Sequence, residues 1–141
     1  MAKRNNLFDE KIWEEVNAEN KMLLEDYILE LKSKGRAEKT IYQYTADIKG
    51  FFCWIAQNAG NKSILDLKKR MFRTFFLSMQ EMGTSAARIN RFQSSIRNLL
   101  AFAEDDEDEY DYDKNVMRAI KGIQGEKVRD IVFLTDEQID I

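Results

Sequence analysis

The chain has no histidine, no proline and a single cysteine in 141 residues. Each absence excludes some chemistry. Without histidine there is no imidazole base, no Ser-His or Cys-His nucleophile pair and no imidazole ligand for a metal. Cys53 alone makes neither an internal disulfide nor a zinc site, and its place between Phe52 and Trp54 marks it as the buried thiol of a cytosolic protein. Average usage would put roughly seven prolines in a chain of this length. Strand-like alternation is almost missing as well, so the chain reads as all-α. No apolar run approaches the roughly 18 residues of a bilayer span, and residues 1–6 are polar where a signal peptide would be charged and then apolar. There is no glycine-rich phosphate loop. Carboxylates and lysines are plentiful but nowhere paired in an apolar setting, so no catalytic residue, metal or cofactor is expected within these residues.

What is present is charge, and it is unevenly placed. The net charge is −3, but residues 32–99 carry thirteen basic and four acidic side chains, a net of +9. Residues 1–31 are net −4, residues 100–113 hold eight carboxylates and no base, and residues 114–141 balance at five each. A basic module therefore lies between acidic flanks, which the overall balance hides.

Apolar spacing gives the helices. Residues 7–16 form an amphipathic segment that runs on or kinks near 17–20. A helix over 19–33 turns Leu24, Tyr27, Ile28 and Leu31 inward and ends at Lys34 and Gly35. The next spans 38–58, with Ile41, Tyr44, Ile48, Phe51, Phe52 and Ile55 on one side, and a loop rich in Asn, Gly and Ser follows at 58–63. A helix over 67–82 buries Leu67, Met71, Phe75, Met79 and Met82, with Phe72 and Phe76 alongside. Residues 83–103 form another, capped by Thr84 or Ser85. A short helix over 114–121 carries Val116, Met117 and Ile120. Beyond a loose stretch at 122–127, residues 128–134 are the only strand-like run, and Thr135 to Gln138 reads as the first turn of a further helix. That pattern is expected for the beginning of a second domain cut short.

The helix over 83–103 has two faces. Ile89, Phe92, Ile96, Leu99 and Ala103 make an apolar stripe, and Thr84, Arg88, Arg91, Ser95 and Asn98 make a second stripe beside it without a carboxylate. Arginines and short hydrogen-bonding groups suit a phosphate-lined groove. Further bases cluster at Lys32, Lys34, Arg36 and Lys39, and at Lys68, Lys69, Arg70 and Arg73. A solvated surface normally intersperses acids among such bases, and here they are sparse for nearly seventy positions, so DNA is the expected partner. The aromatics sit at helical spacing and read as core, with Tyr42 and Trp54 off the main apolar face. In the acidic run 104–113, Asp111, Asp113 and Asn115 echo the first ligand positions of a calcium loop. Val116 and Gly122, however, stand where that loop needs Gly and a bidentate Glu. The run is expected to be a solvated segment that ends the preceding helix and points away from bound DNA.

From about residue 20 onward the chain resembles the N-terminal, SAM-like core-binding domain of phage-type tyrosine recombinases (integrases). The pieces that carry the resemblance are LLEDYILELKSKG, EKTIYQYTADIKGFFCWI, ILDLKKRMFRTFFLSM and TSAARINRFQSSIRNLLAFAEDD, in that order, with VRDIVFLTDEQID similar to the linker and first helix of a catalytic domain. The resemblance implies a four-to-five-helix SAM-like bundle forming half of a clamp around duplex DNA. It puts Lys39, Thr40, Gln43, Thr84, Ser85, Arg88, Arg91 and Ser95 at the DNA, and Lys34 and Arg36 join them from the basic cluster. It also implies an expected division into an N-terminal extension (1–18), a core-binding domain (19–122) and a linker with the start of a catalytic domain (123–141). The recombinase tyrosine and its supporting residues would lie in that catalytic domain, so this stretch is expected to bind a recombination site for integration or excision without cutting it. The full-length protein is expected to self-associate on DNA, with this stretch by itself a monomer in the cytoplasm, away from any membrane. Ala37 and Lys68 depart from frequent capping residues of the family, leaving Asp66 as the nearest capper of the helix over 67–82. Asn115-Val116 replaces an interdomain Asn-Pro. The reading from a different class is a helical interaction module whose basic face meets an acidic protein.

Overall fold

The computed structural model describes residues 7–105, 110, 112 and 115–120, and among them all regular structure is helical. In chain order these are α1 (Glu10–Glu15), α2 (Ala18–Ser33), α3 (Glu38–Asn58), α4 (Lys69–Glu81) and α5 (Ala86–Asp105), with single 3-10 turns at Ile64–Asp66 and Val116–Ala119. The expected strand-like run at 128–134, the helix start at 135–138 and most of the acidic run lie outside the described residues.

The bundle is organised around α3 and α5. α3 packs on α1, α2 and α5, while α5 also meets α2, α4 and the C-terminal 3-10 turn. Their shared core is aromatic. Phe75 of α4 lies with its ring centroid 4.5 Å from Phe51, 5.2 Å from Trp54 and 6.1 Å from Phe92, so one side chain joins three helices. Trp54, doubtful from its spacing, is thus a half-buried edge of the core, whereas Tyr42 is 75% exposed. Met82, expected inside, is the C-cap of α4 and is exposed.

Helix ends follow from local chemistry. Val16 leaves the helical region and Asn17 caps α2 by accepting from Asn20 N–H at 2.7 Å, which breaks the chain between α1 and α2. The side chains of Asn17, Asn20 and Asn61 then clasp this break to the loop before α4. Asn17 N–H donates to Asn61 Oδ1 (3.1 Å) and Asn61 Nδ2 to the Glu15 carbonyl (2.7 Å). The fully buried Asn20 donates to the Lys62 carbonyl (3.1 Å) and accepts from Ile64 N–H (2.8 Å). Ala37 and Lys68, at the starts of α3 and α4, make no capping side-chain bond. Asp66 does not take over that role, because it is drawn into the preceding turn, which Ser63 caps. Ser85, rather than Thr84, caps α5 by accepting from Arg88 N–H at 3.1 Å.

α2 and α4 both end in a Schellman pair. Gly35 and Gly83 take φ of +75° and +85°. Their N–H groups donate to Lys32 and Gln80, and the next residues donate back to Leu31 and Met79. A Cβ at Gly83 would meet no atom within 4 Å. Gly83→Ala is therefore expected to lower stability by about 1 kcal/mol through backbone strain alone. A loss above about 3 kcal/mol in urea titration would mean that the glycine also relieves a packing clash.

The short helix expected over 114–121 is one 3-10 turn, Val116–Ala119. Asn115 caps it through Met117 N–H at 3.0 Å, and the turn is held by burial of Met117 and Ile120, which local helix propensity does not require. Tyr110 donates a hydrogen bond to Asp26 and packs 6.1 Å from Phe102, and Asn115 donates to the Arg97 carbonyl at 3.1 Å. These contacts return the chain onto α2 and α5 after the end of α5. The buried Cys53 thiol donates to the Asp9 carbonyl at 3.7 Å, and burial pushes its pKa up, which keeps it a thiol. No described helix is long and apolar enough to cross a membrane.

Candidate nucleic-acid interface

A groove of about 520 Å³ runs between α3 and the first half of α5, with Leu7 and Phe8 also in its lining. Gln43 and Lys49 reach it from α3, Arg88 and Arg91 from α5, and the exposed Tyr42 stands at its edge. Arg88 sits with its guanidinium carbon 5.4 Å from the Phe92 ring centroid, and Lys49 places its ammonium 5.7 Å from Phe8 and 5.2 Å from Trp13. Aromatic faces thus support both cations at the groove.

At the floor of the groove lies a carboxylate that the charge map did not single out. Asp47 is 2% exposed. Its Oδ2 accepts from Arg91 Nε at 3.2 Å and from Ser95 Oγ at 2.9 Å, and its Oδ1 accepts from Arg91 Nη2 at 3.0 Å. The α5 stripe was without a carboxylate in its own sequence, yet the facing helix supplies one. Spacing on α3 could have hinted at it, since Asp47 falls among Ile48, Phe51 and Phe52 on the inward side.

The expected contact residues divide between places. Gln43, Arg88 and Arg91 share the groove. Lys34, Arg36 and Thr40 instead line a separate cleft of about 290 Å³, with Tyr27, Tyr44, Asn98, Glu30 and Asp105. There Lys34 pairs with Glu30 at 3.0 Å, an exposed (i, i+4) bridge of small energetic weight. Burial first, then Tyr44, pushes the Tyr27 hydroxyl up to about 12, so at neutral pH it is an uncharged phenol. The carboxylates make this cleft less cationic than the groove. Lys39 is exposed on the first turn of α3 and lines neither. Thr84 and Ser85 stand at the N-terminus of α5, where Ser85 is engaged as the cap.

Ser95 is a correction. It is fully buried and gives its hydroxyl to Asp47, so it presents nothing to a partner. The exposed positions of α5 are Ala87, Arg91, Ser94, Asn98 and the terminal Asp105, which makes Ser94 the surface serine. α5 is covered by several helices at once, so Gln93, Ser95 and Leu100 are buried beside the expected apolar stripe. Lys49 was absent from the expected set and joins the groove.

The family model of the phage integrase N-terminal SAM-like domain matches residues 24–107. That span holds the α3 and α5 sides of the groove, and Leu7 and Phe8 fall outside it. Among curated proteins, the SPbeta prophage-derived recombinase-like protein YomM of Bacillus subtilis (strain 168) is 25% identical over 118 residues, covering 81% of this chain and 34% of that protein. The chain thus spans about a third of that relative's length. No solved structure matches.

Proposed function

The chain belongs to the phage integrase family through its N-terminal SAM-like domain, and from that membership we propose that it binds duplex DNA as the core-binding module of a site-specific tyrosine recombinase. The observation that carries the reading is the meeting of Gln43, Lys49, Arg88 and Arg91 in one groove of a chain whose net charge is −3. Two arginines, a lysine and an amide on two adjacent helices supply both phosphate neutralisation and base-edge donors. Outside the groove, Lys39 and Thr40 at the start of α3 and Thr84 and Ser85 at the start of α5 supply further contacts to the backbone of the duplex. In this proposal residues 19–122 are the module, 1–18 an extension whose helix α1 packs on α3, and 123–141 the linker with the start of a catalytic domain. DNA breakage and rejoining lie outside the module, and the full-length protein assembles on its site in the cytoplasm.

Affinity for a duplex should fall steeply as salt rises, because each neutralised phosphate releases counterions. Arg88→Ala and Lys39→Ala should each flatten the logarithmic salt slope by about one unit or less. Fluorescence anisotropy over a salt series reads this directly. Salt-indifferent binding, or loss of an acidic protein partner with DNA affinity unchanged in these variants, would replace this reading with that of a protein-interaction module.

A further inference from the structure

We propose that Asp47 is a positioning residue that turns Arg91 from a phosphate clamp into a reader of a base edge. This rests on the DNA-binding reading of the same groove. Arg91 uses Nε and Nη2 side-on against Asp47, at 3.2 and 3.0 Å. A guanidinium has five N–H groups, so this pairing leaves the outward pair on Nη1 and Nη2, whose parallel donors match guanine O6 and N7. Asp47 cannot swing away to release the fork, because it is buried and Ser95 holds its Oδ2 at 2.9 Å. The Arg91 side chain is nonetheless 41% exposed, so its outer edge is open to the groove.

Charge points the same way. A carboxylate in contact with a guanidinium offsets its attraction for any nearby phosphate, while the outward donors keep their direction. Sequence-independent affinity is thereby reduced and orientation is retained, the combination that favours discrimination between sites over general affinity for duplex. A clasp that served only to join α3 to α5 would need neither the exposed outer edge nor a place in the cationic groove.

The test uses the whole chain, a mixed-sequence duplex and two variants, Asp47→Asn and the charge-neutral pair Asp47→Asn with Arg91→Gln. The pair strands no buried charge, so it retains the fold if the single variant does not; circular dichroism confirms folding before binding is measured. Asp47→Asn should steepen the salt slope by about one unit or less and raise affinity roughly tenfold at about 50 mM salt, by releasing Arg91 to phosphate. The paired variant should return to the wild-type slope. In selection from randomised duplexes, it should also lose preference at one guanine. An unchanged slope in folded Asp47→Asn overturns the proposal. So does a paired variant that stays steep, which assigns the gain to the general field, or one flatter than wild type, which makes Arg91 a phosphate contact. An unaltered base preference in the pair overturns it as well. Wild-type chain that fails to bind the duplex at all overturns the DNA-binding reading itself, so the two failures are distinct.

Discussion

Phe75→Ala is expected to destabilise the domain by about 4 kcal/mol, the largest single effect at any described position. Phe75 is fully buried, and its ring lies within 4.5 to 6.1 Å of Phe51, Trp54, Phe76 and Phe92. Truncation removes apolar area and leaves a cavity that α3, α4 and α5 border together, so no one helix can collapse into it. A domain of this size has a total stability of roughly 5–15 kcal/mol, and the variant should be partly unfolded near physiological temperature. Equilibrium urea unfolding followed by tryptophan fluorescence measures the loss, since Trp54 stacks in this cluster. A loss below about 1.5 kcal/mol would show that the cluster repacks and that Phe75 is not its centre.

Asn20→Leu is expected to cost about 2–4 kcal/mol despite adding apolar character to a fully buried site. The substitution keeps the heavy-atom count of the side chain but strands two backbone groups, the Lys62 carbonyl and the Ile64 N–H, that this amide satisfies among the described residues. The loop before α4 would then be held to the start of α2 by the Asn17 and Asn61 bonds alone. Hydrogen exchange should show faster exchange of Ile64 N–H and of the adjoining turn, with α5 little changed. Stability equal to wild type, with Ile64 still protected, would mean that water replaces the amide and that the clasp is dispensable.

These two sites differ in how far a reader of the chain could have found them. Phe75 lies at helical spacing with Phe72 and Met79 and is legible as core, because apolar periodicity reports burial directly. Asn20 and its partners read only as a kink and a polar loop. An amide clasp between residues 42 to 46 positions apart leaves no local pattern. The short turn Val116–Ala119 failed as a predicted helix for a related reason: its apolar residues are inward through docking on α5, and apolar spacing does not distinguish the two.

The sequence by itself determined the helical class, the helix ends at Gly35 and Gly83, the start of α5 at Thr84 or Ser85, the basic middle of the chain and the family resemblance that the match over residues 24–107 bears out. Those are properties of neighbours in the chain or of residues one helical turn apart. Only the tertiary structure decided which polar groups of α5 face outward. Arg91 and Ser95 looked equivalent on one stripe, and packing against α3 buries Ser95 and leaves Arg91 at the surface, both held by a carboxylate 44 or more positions away. Burial of a polar face depends on what covers it, and the covering helix is written elsewhere in the chain.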